Sequence, residues 1–190
     1  MPRVTRLVVG FENEDDAGRF LNAMRARLEE FALSLHSDKT RLIEFGRSAA
    51  TNRKRRGLGK PETFMFLGFT FICGKSRGGH FQIQRKTRRD RMKAKLADIK
   101  TELRRRMHQP IPVQGKWLKQ VVIGHFAYYA VPTNGRALSA FRYFVSDLWR
   151  RSQKDSFTWE RMTKLADDWL PKPRILHPWP DVRFAVKHLR

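Results

Sequence analysis

The sequence predicts an α+β protein in which a strand–helix–strand segment and a β-hairpin come before an all-helical segment. Up to about residue 84, short β-branched and aromatic runs alternate with turn residues, which is typical of strands. From there to about residue 170, apolar residues recur every three or four positions, which is typical of amphipathic helices. This change of pattern near residue 85 divides the chain into two predicted domains, residues 1–84 and residues 85–190.

The first predicted domain begins with a strand over Leu7–Phe11, a helix over residues 14–31 and a second strand over Leu42–Phe45. Asp15 and Asp16 stand in the first turn of that helix, where carboxylates satisfy backbone N–H groups and favour the helix dipole. The alternative is a metal-binding aspartate pair. It is disfavoured because the pair follows the strand at the wrong spacing.

A basic segment and a hairpin complete this domain. Residues 46–61 contain six Lys and Arg, three Gly and no acid, which indicates a mobile basic loop. An aromatic strand is predicted over Phe64–Ile72. A glycine-containing turn over residues 74–79 then connects it to a partner strand over residues 80–84.

A helix predicted over residues 84–107 carries an uneven distribution of charge. Its apolar residues form one stripe, which consists of Met92, Leu96, Ile99, Leu103 and Met107. At about 100° per residue, one flank of the stripe holds cations only. These cations are Lys86, Arg89, Lys93, Lys100 and Arg104. The other flank mixes acids with bases. Two interpretations stay open, an ordinary solvated helix face or a surface that lies along a polyphosphate.

Three further helices are predicted, over residues 116–131, 137–151 and 158–170, and a proline-rich tail follows them. Gly124 lies inside the first of these helices, where glycine costs about 1 kcal/mol relative to alanine. We therefore expect another backbone to approach it closely. Four large aromatic residues at helical spacing are predicted as core, with base stacking as the alternative. They are Trp117, Tyr128, Tyr129 and Trp149.

The charge of the chain points to a polyanionic partner. Its 190 residues include 40 Lys and Arg against 18 Asp and Glu, a net charge of +22, and its 41% hydrophobic residues allow a packed core. Nucleic acid is the first candidate partner. An anionic membrane surface is the second, although no segment has the length of a membrane span. Cys73 stands alone, which excludes a disulfide framework, and the apolar run Leu7–Val9 is too short for a signal peptide, so a cytoplasmic location is predicted.

Six segments occur in the order found in one protein family. They are VVGFENEDDAGRF, LSLHSDKTRLIEFGR, FLGFTF, WLKQVVIGHFAYYAVP, TWERM and WLPKPRILHPWP. Together they resemble the C-terminal half of bacterial group II intron reverse transcriptases, which are also called maturases. The resemblance covers essentially the whole chain. FLGF alone would be a weak signal, whereas the ordered set is specific.

The resemblance implies that residues 1–84 form the end of a polymerase palm and residues 85–190 a helical thumb or maturase domain. It also implies that Lys39 lies near the incoming triphosphate. The hairpin that holds the primer end would be Phe66, Leu67, Gly68 and Phe69. The family copies RNA into DNA with Mg²⁺ and helps its own intron RNA to fold and splice. The implied partners are structured RNA, namely a group II intron, and an RNA/DNA duplex.

The sequence departs from the family at the catalytic aspartates. Where the family carries Tyr-Ala-Asp-Asp, this chain has residues 3–6, which include Arg3 and Arg6. Polymerase chemistry needs carboxylates there because two Mg²⁺ ions must be held about 3.5–4 Å apart. We therefore expect no catalytic residue, no metal ligand and no cofactor in this chain alone.

The residues predicted to contact nucleic acid are Lys86, Arg89, Lys93, Lys100 and Arg104 on the helix, with Arg53, Lys54, Arg55 and Arg56 in the basic loop. The alternative for the loop is solubilising charge, and for Lys39 it is a solvated turn lysine. Three functions stay open. The chain is an RNA-binding fragment without polymerase activity, a reverse transcriptase completed by a second chain such as an N-terminal polymerase fragment, or a degenerate product with little activity.

Overall fold

A computed structural model describes residues 7–153 and 159–175 of the chain. This part contains six α-helices, a short 3-10 turn and a three-stranded antiparallel sheet, so the predicted α+β class is confirmed. It separates into two compact units with the boundary between Glu62 and Thr63. The β-hairpin therefore belongs to the same unit as the later helices, whereas the sequence pattern placed the boundary near residue 85.

The first unit, residues 7–62, is mostly irregular around two helices. Helix α1, Glu14–Glu29, agrees with the predicted helix and ends two residues earlier than expected. The strands predicted over Leu7–Phe11 and Leu42–Phe45 are wrong, because both segments are irregular. A strand forms only when another backbone accepts its hydrogen bonds. All strands of the described chain lie in the second unit.

The predicted basic loop contains a second helix, α2, Ala49–Arg55. Two alanines begin this helix and three basic residues end it, and all five have good helix propensity. Gly57, with φ of +69°, ends it. The Gly57 N–H donates to the Lys54 carbonyl at 3.1 Å and the Leu58 N–H to the Arg53 carbonyl at 2.8 Å, which together form a Schellman motif.

The sheet of the second unit consists of β1 (Phe64–Phe66), β2 (Phe69–Lys75) and β3 (Phe81–Thr87) in that order. The single strand predicted over residues 64–72 is thus two strands. They are joined by the two-residue turn Leu67-Gly68, in which φ is +45° and +78°. Positive φ at both positions is typical of a type I′ turn, which matches the twist of antiparallel strands. The turn between β2 and β3 agrees with the prediction.

Four helices follow the sheet: α3 (Arg89–Arg105), α4 (Ile111–Tyr129), α5 (Gly135–Ser152) and α6 (Trp159–Trp169). All four were predicted, with shifted starts. Helix α3 begins at Arg89 because residues 84–87 extend β3. Helix α4 begins five residues earlier than predicted, because Pro112 lies in its first turn, where the missing N–H costs no hydrogen bond. The predicted proline-rich tail beyond residue 175 lies outside the described residues.

The helices of the second unit enclose its hydrophobic core. The buried members of this core are Ile99, Leu103, Leu118, Val122, Phe126, Ala130, Leu138, Phe141, Val145, Trp149, Ala166 and Leu170. Met92, Leu96, Trp117 and Tyr129 pack against them. Within the described residues, no helix is both long enough and apolar enough to cross a membrane.

The close backbone approach predicted at Gly124 is wrong, because a Cβ there would meet no atom within 4 Å. Gly115 is the glycine of α4 that tight packing requires. A Cβ on Gly115 would lie 2.8 Å from Cδ2 of Trp169. The absence of a side chain at Gly115 therefore allows α6 to lie against α4.

Candidate nucleic-acid interface

Helix α3 is fixed by its apolar side and presents cations on its outer side. Ile99 and Leu103 are each 1% exposed and lie in the core. On one flank of this apolar side, four of the five predicted cations are exposed, namely Arg89, Lys93, Lys100 and Arg104. At a rise of 1.5 Å per residue, this row extends for about 22 Å along the helix. The core contacts fix the helix backbone, so the row keeps its spacing.

The fifth predicted cation, Lys86, lies in strand β3 and not in a helix. It is exposed, and its Cα partner in the register of β2 is Thr70. Its placement as part of a helical stripe was therefore wrong. Strand and helix periodicities differ, so its angle relative to Arg89 does not follow from helical spacing. Together, the exposed cations of β3 and α3 form the cationic row, which consists of Lys86, Arg89, Lys93, Lys100 and Arg104.

Two of the three acids of α3, Asp90 and Glu102, pair with arginines outside the cationic row. Arg88 donates to Asp90 through Nε at 3.0 Å, and this hydrogen bonding lowers the pKa of Asp90. Glu102 accepts from Arg105 at 2.9 Å and from Arg106 at 3.4 Å, and its pKa is lowered mainly by the bond from Arg105.

These pairs leave the cationic row available to a ligand. Among the described residues, none of the five row members forms an ion pair with a carboxylate. Their positive charge is therefore not neutralised by described neighbours. Such a surface attracts anions through charge, and it releases counterions when phosphates bind.

The side chains of Asn134 and Thr133 fix the strand that carries Lys86. Asn134, 1% exposed, accepts from the Thr87 N–H at 2.9 Å and donates to the Thr87 hydroxyl and to the Tyr129 carbonyl, each at 2.8 Å. The hydroxyl of Thr133 accepts from the Arg85 N–H at 2.8 Å. These bonds flank Lys86 on both sides and tie β3 to the loop between α4 and α5. The sequence pattern predicts only a turn for this loop, and no local signal in it indicates these hydrogen bonds.

The ends of two helices meet at the Leu67-Gly68 turn. The Tyr128 hydroxyl donates to the Leu67 carbonyl at 2.8 Å, and the Arg88 N–H donates to the Gly68 carbonyl at 3.0 Å. A Cβ on Gly68 would lie 2.8 Å from the Tyr129 hydroxyl oxygen, so only glycine fits under that ring. The end of α4 and the start of α3 thus hold this turn beside the first residues of the cationic row.

The surface around this turn is partly apolar. Leu67 is 62% exposed and Tyr128 is 53% exposed. Phe66 is half-buried, and Phe69 lies in the interior with its ring centroid 5.2 Å from that of Tyr129. The prediction that Tyr128 belongs to the core is wrong. Trp149 is fully buried, while Trp117 and Tyr129 are partly buried against the core, as expected.

The basic residues of α2 differ in how far they extend into solvent. The Arg53 side chain is only 17% exposed, because it pairs with Glu62 at 3.5 Å. Arg56 pairs with Glu44 at 3.9 Å and remains exposed. Lys54 and Arg55 are exposed on the same short helix. Of the predicted loop contacts, Lys54 and Arg55 thus have the geometry best suited to a phosphate, and Arg53 mainly stabilises its own unit.

Two further positions bear on the chemistry of the chain. Lys39 is exposed at the end of the 3-10 turn Ser37–Lys39.

His125 lies in the core with its ring centroid 3.7 Å from that of Phe141. Burial, with a smaller contribution from the charge of Lys95, lowers the pKa of His125 to about 4. The imidazole is therefore neutral at neutral pH and acts as a packing group.

The described residues contain no group of three His, Cys, Asp or Glu side chains that could hold a metal ion. The described residues do present a fixed row of cations next to the Leu67-Gly68 turn, which aromatic residues flank. No protein-family model matches the chain, and comparisons with curated proteins and with solved structures find no similar protein.

Proposed function

We propose that this chain binds structured RNA through the cationic row, as an RNA-binding fragment of the group II intron reverse transcriptase or maturase type. The observation that carries the proposal is the placement of five exposed cations without described carboxylate partners on elements fixed by the core. The ordered sequence motifs are the reason for proposing intron RNA as the ligand. In that family the second unit would correspond to the thumb.

The distribution of charge supports a polyanion as the ligand. The second unit, residues 63–179, contains 24 Lys and Arg but only eight Asp and Glu, so it carries +16 of the total +22. Charge of one sign on a unit of this size opposes its compact state unless a polyanion neutralises it. Nucleic acid meets this requirement, and phosphate contacts supply most of the affinity in such complexes.

The form of the row favours a folded RNA over a short oligonucleotide. A row of about 22 Å can contact several phosphates at once. Lys and Arg on a rigid helix contact the backbone and do not need access to base edges. Proteins recognise double-stranded RNA mainly by its shape, its phosphates and its 2′-hydroxyl groups. We therefore expect structured RNA to bind with little dependence on its sequence.

Polymerase activity is not expected from the chain alone. The sequence has Arg3 and Arg6 where the family carries its paired aspartates. Without those carboxylates the chain has no ligands for the two Mg²⁺ ions of nucleotide transfer. Purified chain should give no Mg²⁺-dependent primer extension. If extension appears only after an N-terminal polymerase fragment is added, the second candidate, a complemented reverse transcriptase, gains support.

The salt dependence of RNA binding tests the proposal. The dissociation constant for a structured intron RNA should be measured by fluorescence anisotropy over a series of KCl concentrations. Each phosphate contact contributes about 0.7–0.9 to the slope of log affinity against log salt concentration. We expect a slope that reflects several contacts. A flat salt response contradicts the proposal.

A matched pair of variants locates the interface on α3. Lys93→Gln with Lys100→Gln removes two charges from the cationic row and should lower the salt slope by about 1.5. The control, Arg91→Gln with Lys95→Gln, removes two exposed charges from the other flank of the same helix and should change the slope little. Equal losses in both double variants would show that binding depends on total charge and not on the row.

A further inference from the structure

Strand β3 lies at the edge of its sheet, and two side chains take the place of a further strand there. Within the described sheet it pairs with β2 alone. On its outer side, the hydroxyl of Thr133 accepts from the Arg85 N–H at 2.8 Å and donates to the Arg85 carbonyl at 3.3 Å. The side chain of Asn134 accepts from the Thr87 N–H at 2.9 Å. Two adjacent loop residues therefore satisfy outer backbone groups of β3 on both sides of Lys86.

Thr133 makes its contact in an unfavourable backbone conformation. Its φ is +75°, in the left-handed region, where the branched Cβ of threonine lies too close to the backbone. Glycine adopts this conformation without strain, but it has no hydroxyl. A strained residue persists where the surrounding contacts hold it, and such residues cluster at functional sites. The contact that this strain makes possible is the one with Arg85, next to Lys86.

Asn134 also departs from the usual role of its position. It is the N-cap residue of α5, and its main-chain carbonyl accepts from the N–H groups of Ala137 and Leu138. An asparagine at this position usually caps the helix with its side chain as well. Here the side chain makes no capping bond, and it binds Thr87 and the Tyr129 carbonyl. Both loop residues thus give up a local preference, and both gain a contact with β3.

The junction between β3 and α3 decides how Lys86 lies relative to the helix cations. Thr87 and Arg88 separate Lys86 from the first cation of α3. Asn134 binds both the N–H and the hydroxyl of Thr87, and the Arg88 N–H donates to the Gly68 carbonyl at 3.0 Å. A strand and a helix differ in period, so the spacing between the two cations depends on this junction. The junction is held from two sides.

We propose that Thr133 and Asn134 are positioning residues for RNA binding, which hold Lys86 and Arg89 at a spacing that lets both contact one RNA backbone at once. This inference rests on the proposed function, because the two residues act through the cationic row. Asn134 is 1% exposed, so it acts without touching the RNA. A cation that is held in place before binding loses less conformational freedom when it contacts a phosphate, so it contributes more to the affinity.

A variant that removes the hydroxyl and relieves the strain tests the role of Thr133. Thr133→Gly loses both hydrogen bonds to Arg85, but glycine adopts φ of +75° readily, so urea denaturation should show little change in stability. Its affinity for a structured intron RNA should be measured by fluorescence anisotropy at about 0.15 M KCl. The affinity should fall by up to about fivefold, which is the contribution of one phosphate contact at that salt concentration relative to 1 M. Thr133→Ser restores the hydroxyl and should bind RNA more tightly than Thr133→Gly.

A double-mutant cycle separates positioning from a general loss of structure. Thr133→Gly should weaken RNA binding by the same factor in the unsubstituted chain and in Lys100→Gln, the control, but it should have no further effect in Lys86→Gln. Asn134→Ala should follow the same pattern. Equal losses in all three chains, or unchanged affinity in Thr133→Gly, would overturn the inference and leave the proposed function standing. A flat salt response of the unsubstituted chain would contradict the proposed function and the inference with it.

Discussion

The indole N–H of Trp149 donates to the side-chain oxygen of Gln114 at 2.9 Å, and both residues are completely buried. Gln114 also accepts from Gln153 at 2.6 Å and donates to the Gln109 carbonyl at 2.8 Å. This one amide therefore connects the first turn of α4, the end of α5 and the loop before α4. A buried polar group of this kind stabilises the unit only while all its partners remain.

Replacement of Gln114 by Leu should destabilise the second unit by about 1–3 kcal/mol, because the indole N–H of Trp149 is then buried without an acceptor. The free energy of unfolding should be measured by urea denaturation. Gln120→Leu, on an exposed position of the same helix, is the control and should change it by less than about 0.5 kcal/mol. Equal effects of the two substitutions would contradict the role assigned to Gln114.

Two glycine substitutions should change stability in opposite directions. Gly68→Ala forces an alanine to adopt φ of +78° and places its Cβ 2.8 Å from the Tyr129 hydroxyl, so it should cost about 1–3 kcal/mol. Gly124→Ala adds a methyl group to an open helical position and should contribute about 0.5–1 kcal/mol of stability. The stability of each variant should be compared with that of the unsubstituted chain by thermal unfolding. A loss of stability in Gly124→Ala would show that the helix is crowded there.

The second unit should lose stability as the pH falls from about 6.5 to about 4. The folded pKa of His125 is lowered to about 4 from its ordinary value of 6.5, so in this range the unfolded chain binds a proton that the folded chain does not. The loss attributable to this residue should be roughly 1–3 kcal/mol. His125→Phe keeps an aromatic ring against Phe141 and should remove this part of the pH dependence. Urea denaturation at several pH values measures it, with the exposed His80→Gln as control. A pH dependence that persists unchanged in His125→Phe would assign it to other groups.

Asn134→Ala should weaken the attachment of β3 to the loop between α4 and α5 at Thr87. The substitution removes the acceptor of the Thr87 N–H and two further bonds, and it should cost about 1–3 kcal/mol. Hydrogen exchange followed by NMR should show faster exchange at the Thr87 amide. The Arg85 amide donates to Thr133 instead and should keep its protection. Faster exchange at both amides would mean that the whole strand detaches.

Local periodicity accounts for the parts of the fold that sequence analysis predicted well. The spacing of Ile99 and Leu103 with the other apolar residues of α3 placed them in the core, and the cations on one flank of this apolar stripe are exposed. A helix satisfies its own backbone hydrogen bonds, so its existence and its inward face depend on residues three or four positions apart. The same holds for α4, α5 and α6, and for the existence of α1, although α1 has no buried residue. The first and last residues of these helices were predicted less well, since capping residues and prolines determine where a helix begins and ends.

Pairing between distant residues accounts for what sequence analysis did not predict. Leu67 adopts a positive φ inside an aromatic run that resembles one continuous strand. Asn134 accepts from a strand 47 residues earlier, and no local pattern indicates that contact. Tyr128 lies at helical spacing with buried residues but faces the turn, where its hydroxyl finds an acceptor.

The sequence alone determined where α1 and the helices α3 to α6 form, that the second part of the chain carries most of the positive charge, and that α3 has one purely cationic flank. Only the tertiary structure decided that Lys86 belongs to a strand, that Arg53 pairs with Glu62, and that Leu7–Phe11 and Leu42–Phe45 do not form strands. The physical reason is the range of the interactions. Helix formation and charge are properties of neighbouring residues, whereas strands, ion pairs and interior contacts need a partner that the fold brings from elsewhere in the chain.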